Sequence, residues 1–164
     1  MLKQEYDSAL AHSQQAEGLN RQSNRLHLVA GNLHEQGLIF KRLNRHQDAF
    51  ERFSESLKTL RRVGDESGAA DSLGELGKLY RDSGMLREAI AAFNEALEIY
   101  QRQGDPKIAI CLTMLGNIHE QQGEYAAALE KYQQAFAIDE QFGSPSDLEI
   151  DRRDIARVKG KMGR

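Results

Sequence analysis

The sequence has 164 residues, 22 basic and 25 acidic side chains for a formal charge of −3, 40% hydrophobic residues, two prolines and one cysteine. That length suits one domain and leaves little room for a second, the charge balance argues against a general phosphate surface and hence a nucleic-acid partner, and apolar runs such as "IAICL" and "YAAAL" are far shorter than the ~20 residues that span a membrane. Abundant Ala, Leu, Glu, Gln, Lys and Arg with almost no strand signal predict an all-α fold, and "MLKQEYDSAL" lacks the apolar run of a secretory signal, so a cytoplasmic protein is expected.

In chain order, residues 1–24 read as the second helix of an incomplete unit, because Ala9 and Leu10 stand one period before Ala49 and Phe50. Three full units follow, 25–64, 65–104 and 105–143. Leu33, Leu73 and Leu112 mark their register, as do Gly37, Gly77 and Gly116, Ala49, Ala89 and Ala128, and Phe53, Phe93 and Tyr132, at steps of 40 and then 39 residues. Each unit carries two helical stripes. The first runs through Leu33, Gln36, Gly37 and Phe40 and its equivalents, the second through Ala49, Phe50, Phe53, Ser56 and Leu57. Residues 144–164 close the chain with a charged capping helix whose stripe is Leu148, Ile155, Val158 and Met162.

The breaks follow from local chemistry. Gly64-Asp65, Gly104-Asp105-Pro106 and Gly143-Ser144-Pro145 combine a left-handed cap, an N-cap and a first-turn proline. Asn44, Gly84 and Gly123 mark the inner turns. Gly37, Gly77 and Gly116 are expected in close helix contacts facing Ala49, Ala89 and Ala128. Cys111, between Ile110 and Leu112, is expected as core filler.

The ordered series of Leu, Gly, aromatic, turn, Ala, aromatic and Ala, densest in "LGNIHEQQGEYAAALEKYQQAF", resembles the tetratricopeptide repeat family over about residues 28 to 140. The extra residues lie between units, as in the long-period form similar to units of kinesin light chains. The resemblance implies a right-handed superhelical solenoid of antiparallel helix pairs, whose first helices line a concave groove. Gln36 and Ser13 depart from the pattern, and the missing first helix leaves the N-terminal edge as a cap, a dimer surface or the boundary of a fragment.

Beside the buried stripe of each first helix runs a second one, which the resemblance places in the groove. Its candidate ligand-binding residues are His34, Leu38, Lys41, Arg42, Lys78, Arg81, Ile110, Thr113, Asn117 and Gln121. The bases would hold a carboxylate, Leu38 and Ile110 would give apolar anchors, and Asn117 would bond a peptide backbone. "NLHEQG" and "NIHEQQG" start like the zinc signature H-E-x-x-H, but Leu38 and Gly123 occupy the second histidine's place. In register His34 falls on the groove stripe and His119 in the buried aromatic slot, as a core histidine.

With no phosphate loop, nucleophile elbow or cysteine pair, the expectation is a noncatalytic scaffold without cofactor or metal. Its partner is a protein or peptide, acidic segments included, and neither membrane nor nucleic acid. The alternatives are a homo-oligomerisation module, a homodimer included, or a regulatory fragment of a longer signalling or transcription protein.

Overall fold

The computed structural model describes residues 2–163, with side chains from Glu5 to Gly163; Met1 and Arg164, the outermost residues of the expected partial unit and cap, lie outside the described residues. The described residues form eight helices and no strand: α1 Leu2–Gln22, α2 Leu26–Arg42, α3 His46–Val63, α4 Glu66–Asp82, α5 Leu86–Gln103, α6 Ile108–Gln121, α7 Tyr125–Phe142 and α8 Pro145–Met162. The chain divides into two compact units, residues 1–79 and 80–164. In the first, α2 packs on α1 and on α3; in the second, α6 packs on α5 and α7, and α7 on α8. No described helix is long and apolar enough to cross a membrane.

The helices stop where the backbone can turn left-handed. Asn44, Gly84 and Gly123 have φ of 56°, 77° and 78°, and Gly64 and Gly104 have 74° and 65°. After Gly64 the Asp65 N–H returns to the Leu60 carbonyl at 3.0 Å, which satisfies a carbonyl that the helix end would otherwise leave unpaired. Asn24, one period before Gly64, takes the same conformation at φ 51°.

Two expected caps differ. Asp65 Oδ1 accepts from the Gly68 N–H at 2.9 Å and opens α4, whereas Asp105 Oδ1 accepts from the Lys107 N–H at 2.8 Å, two residues on. That bond closes a turn rather than a helix cap, so α6 begins at Ile108 and Pro106 lies outside it. Gly143 is extended, at φ −79° and ψ 165°, so it forms no left-handed cap. Ser144 starts α8 through a reciprocal capping box with Asp147, and Pro145 stands in the first turn as expected.

The core of the first unit contains Val29, Ala30, Leu33, Phe40, Ala49 and Phe53; that of the second contains Phe93, Ala96, Leu115, Ile118, Ala128 and Tyr132, with Val158 of α8. Cys111 is buried, as expected. The nearest contacts of Gly37 and Gly116 are aromatic rings: a Cβ on Gly37 would lie 2.7 Å from Phe53, and one on Gly116 2.7 Å from Tyr132. Gln36 is fully buried and its amide donates to Glu17 at 2.9 Å, while buried Ser13 donates to the Asn32 carbonyl at 3.2 Å. Both departures from the apolar pattern thus tie α1 to α2 through hydrogen bonds.

Candidate functional site

In the first unit, α2 carries His34, Leu38, Lys41 and Arg42 and α4 carries Lys78. Leu38 and Arg42 reach the surface; the other three are half-buried. Lys41 and Lys78 converge on one carboxylate, Glu75, which Lys78 reaches at 2.7 Å and Lys41 also binds. Burial pushes the Glu75 carboxyl up, but hydrogen bonds from Lys41 and Lys78, with their charges, more than offset this and hold it below its ordinary value. The expected basic patch therefore contains its own anion, three residues before Lys78 and off the expected groove stripe.

His34 joins a buried polar chain. Ser56 donates to the Ala30 carbonyl at 2.8 Å, Ser72 donates to Ser56 at 3.3 Å, and His34 Nδ1 lies 3.3 Å from Ser72 Oγ. The imidazole also meets Phe53 edge-on, at 5.1 Å between centroids. It borders a pocket of about 230 Å³ shared with His27, Asp65 and Asp71.

In the second unit, Arg81 is held by Asp82 at 2.8 Å and lies 3.1 Å from the Met114 sulfur. Ile110 is 52% exposed and, with Thr113, lines a pocket of about 340 Å³ between α6, the end of α7 and the start of α8. Asn117 turns towards Tyr132, whose hydroxyl lies 2.7 Å from its Oδ1. Gln121 is exposed. The structure thus brings Lys41 and Lys78 together through Glu75, and Ile110 and Thr113 together in a pocket, while it commits Asn117 to a contact within the chain.

Two carboxylate arrangements in this unit escaped sequence reasoning. Glu120 receives Arg157 at 2.7 and 2.8 Å, Lys161 at 2.9 Å and the Tyr132 hydroxyl at 2.9 Å. The Arg157 hydrogen bonds outweigh burial and hold its carboxyl at about 2. Asp151 and Asp154, both buried, lie on the helix expected to be a solvated cap. Burial and the neighbouring Asp139 push the Asp151 carboxyl up to about 7. Asp151 and Asp154 are three residues apart, and each lies four before an apolar residue, Ile155 and Val158 respectively; that spacing, which shares the apolar stripe, was the available signal.

His119 corrects the expected core histidine. Its side chain keeps 22% exposure, and Nδ1 lies 2.6 Å from Glu124 Oε2. Its slot falls in the last turn of α6, where the following turn brings the Glu124 carboxylate within reach. Among the described residues, no three His, Cys, Asp or Glu side chains are grouped to hold a metal ion.

The tetratricopeptide repeat family model matches residues 28–102 and, overlapping, 68–141. BtubC (BKLC) from P. vanneervenii is similar in structure, with a TM-score of 0.78 at 20% identity over 93% of this chain and 67% of that one. A putative kinesin light chain with nearly identical TPR-like repeats from Podosopora anserina gives 0.76 at 16% identity, over 99% and 81% of the two chains. The Sgt2 TPR domain from Aspergillus fumigatus gives 0.62 at 18%, over 82% and 79%. No curated protein matches the sequence.

Proposed function

Since this chain belongs to the tetratricopeptide repeat family, a family of protein-interaction scaffolds, we propose that it is a noncatalytic scaffold whose first helices bind an extended or helical segment of a partner protein. Residues 25–64, 65–104 and 105–143 are its repeats. The observation that carries this reading is the exposure of Leu38 on α2, 36%, and of Ile110 on α6, 52%, each beside half-buried polar residues on a face the core does not use. Apolar anchors within a polar surround are the usual make-up of an interaction patch.

Around Leu38 the ligand is acidic. Lys41 and Lys78 share one carboxylate, Glu75, so the pair keeps one positive charge in excess and Arg42 adds another. A carboxylate of the partner joins Glu75 between the two ammonium groups, where charge-assisted bonds are strongest.

A peptide array of systematically varied charge and hydrophobicity, probed with the labelled chain, tests the proposal. Retention of apolar segments bearing Asp or Glu is expected, and Lys41→Ala combined with Lys78→Ala should weaken it about tenfold while leaving the helical signal intact. Unchanged affinity in that variant would remove the acidic ligand; an array that retains nothing would overturn the scaffold reading.

A further inference from the structure

The pocket between α6, α7 and α8 combines apolar walls with several acidic side chains. Its walls are apolar: Ile110 and Met114 from α6, Phe142 from the end of α7 and Ile150 from α8. Three of these four are large hydrophobic side chains at the surface, with Phe142 61%, Ile110 52% and Ile150 39% exposed. Its polar lining holds three acids, Asp139 from α7 and Asp147 and Asp151 from α8, beside Lys107 and Thr113.

Asp151 is the informative residue. It is 2% exposed, it hydrogen bonds to Asp139, and its Oδ2 is buried without a hydrogen-bond partner. A buried carboxylate is ordinarily paired with a cation or fully hydrogen-bonded, because leaving it unmet costs its desolvation. Here the leading charges acting on it, Asp139, Asp154 and Asp147, are all negative. Asp154 is itself taken by Arg157 at 2.5 Å. Lys107 lines the pocket too, but carries its ammonium over the Tyr100 ring, 5.5 Å from the centroid. Asp151 is thus left without a cation among the leading charges acting on it.

We propose that this pocket binds a lysine or arginine side chain of the partner, its aliphatic stem against Ile110, Met114, Phe142 and Ile150 and its cationic head on Asp139 and Asp151. A volume of about 340 Å³ lies within the usual range of ligand pockets, ~300 to 1,000 Å³, and long cationic side chains bury their stems along apolar surface while the head meets its partner. A metal ion is a poorer fit, since no described group of three ligating side chains gathers there. The inference rests on the scaffold reading and deepens it, giving the partner a basic residue at this end besides the acidic one near Leu38.

The carboxyl pair also sets a pH dependence. Burial and Asp139 hold the Asp151 carboxyl protonated up to about pH 7, so the cation must displace a proton. Binding then strengthens as the pH rises from about 6 to 8. The charged groups around Asp151 are Lys107 just before α6, Asp139 on α7, and Asp147 and Asp154 on α8.

Pentylammonium, pentanol and pentanoate share one stem and differ in the head, so an NMR titration of the full chain with each separates charge from apolar filling. Pentylammonium should shift amides of residues 106–114 and 139–151, bind about tenfold more tightly than pentanol and leave the Leu38 region unchanged; pentanoate should not bind. Asp151→Asn should abolish the preference for pentylammonium over pentanol, and Asp139→Asn serves should that chain fail to fold. Equal binding of pentylammonium and pentanol, or none of either, overturns the inference. If the peptide array still retains acidic segments, only this inference has failed; if it is empty, the scaffold reading has failed as well.

Discussion

The two ends of α8 hold carboxylates in opposite condition. Near its C-terminus, Arg157 and Lys161 reach across to Glu120 of α6, and Tyr132 of α7 adds a hydroxyl to the same group. Near its N-terminus, Asp151 meets Asp139 of α7 and no cation, and one of its oxygens has no partner. The first carboxyl is held at about 2 by its donors, and the second is pushed to about 7 by burial and like charge. A carboxylate saturated with donors fastens a helix. One buried against its own sign works against folding and gains most from an added cation.

The comparison can be broken most severely at Tyr132, which is fully buried and also supplies a donor to Glu120. Tyr132→Ala should cost about 3 to 5 kcal/mol, as large aromatic truncations do, and Tyr132→Phe about 1 kcal/mol for the hydroxyl alone. Urea denaturation separates the two, and equal midpoints for both variants would show that the ring contributes no packing.

Next in size is Arg157→Met, which keeps most of the stem and removes the fork. The guanidinium is partly exposed, so solvent screening reduces the loss to about 1 kcal/mol. The Glu120 carboxyl has its folded value lowered from 4.5 to about 2. Its contribution is present above 4.5 and lost as the pH falls towards 2, so the gap between wild type and Arg157→Met should close in that window. A gap of constant size in melts from pH 6 to pH 2 would assign the effect to packing.

Asp151→Asn reverses the sign. The folded value is raised from 3.8 to about 7, so the native state holds the extra proton between these limits and wild-type stability is lost as the pH rises through them. The variant should melt at a higher temperature than wild type at pH 8 and at the same temperature at pH 4; an identical shift at both would place its cause outside titration. The smallest effect is expected from Ile110→Ser, since the side chain is largely exposed. Its unfolding free energy should change by no more than about 0.5 kcal/mol, while pentylammonium binding weakens. A loss of stability well above that would make Ile110 a core residue.

Much of the fold was legible because its signals are local. Asn44, Gly84 and Gly123 turn left-handed where their residue types allow it, and the stripes through Leu33, Phe40, Ala49 and Phe53 are the buried ones. The candidate faces were less legible. Lys41 and Lys78 could be placed on one stripe, but not their shared hold on Glu75. Asn117 could be placed on that stripe too, but not its contact with Tyr132. His119 shows how a register argument fails at a helix end, where an aromatic slot opens far enough for the ring to meet Glu124. Asp151 and Asp154 belong to a run of charged residues that reads as solvated, although their helical spacing shares the buried stripe.

The sequence by itself determined the all-α class, the repeat period, the turns and the family resemblance. Each depends on backbone preference and side-chain periodicity within a few turns of helix. Only the tertiary structure decided which charges are already spent and which are left unmatched. Lys41 reaches Glu75 across 34 positions, Arg157 reaches Glu120 across 37 and Lys161 across 41. Whether a carboxylate on a helix face meets an ammonium, another carboxylate or water depends on which side chain the next helix presents, and helical periodicity fixes the face a residue occupies but not the partner opposite it.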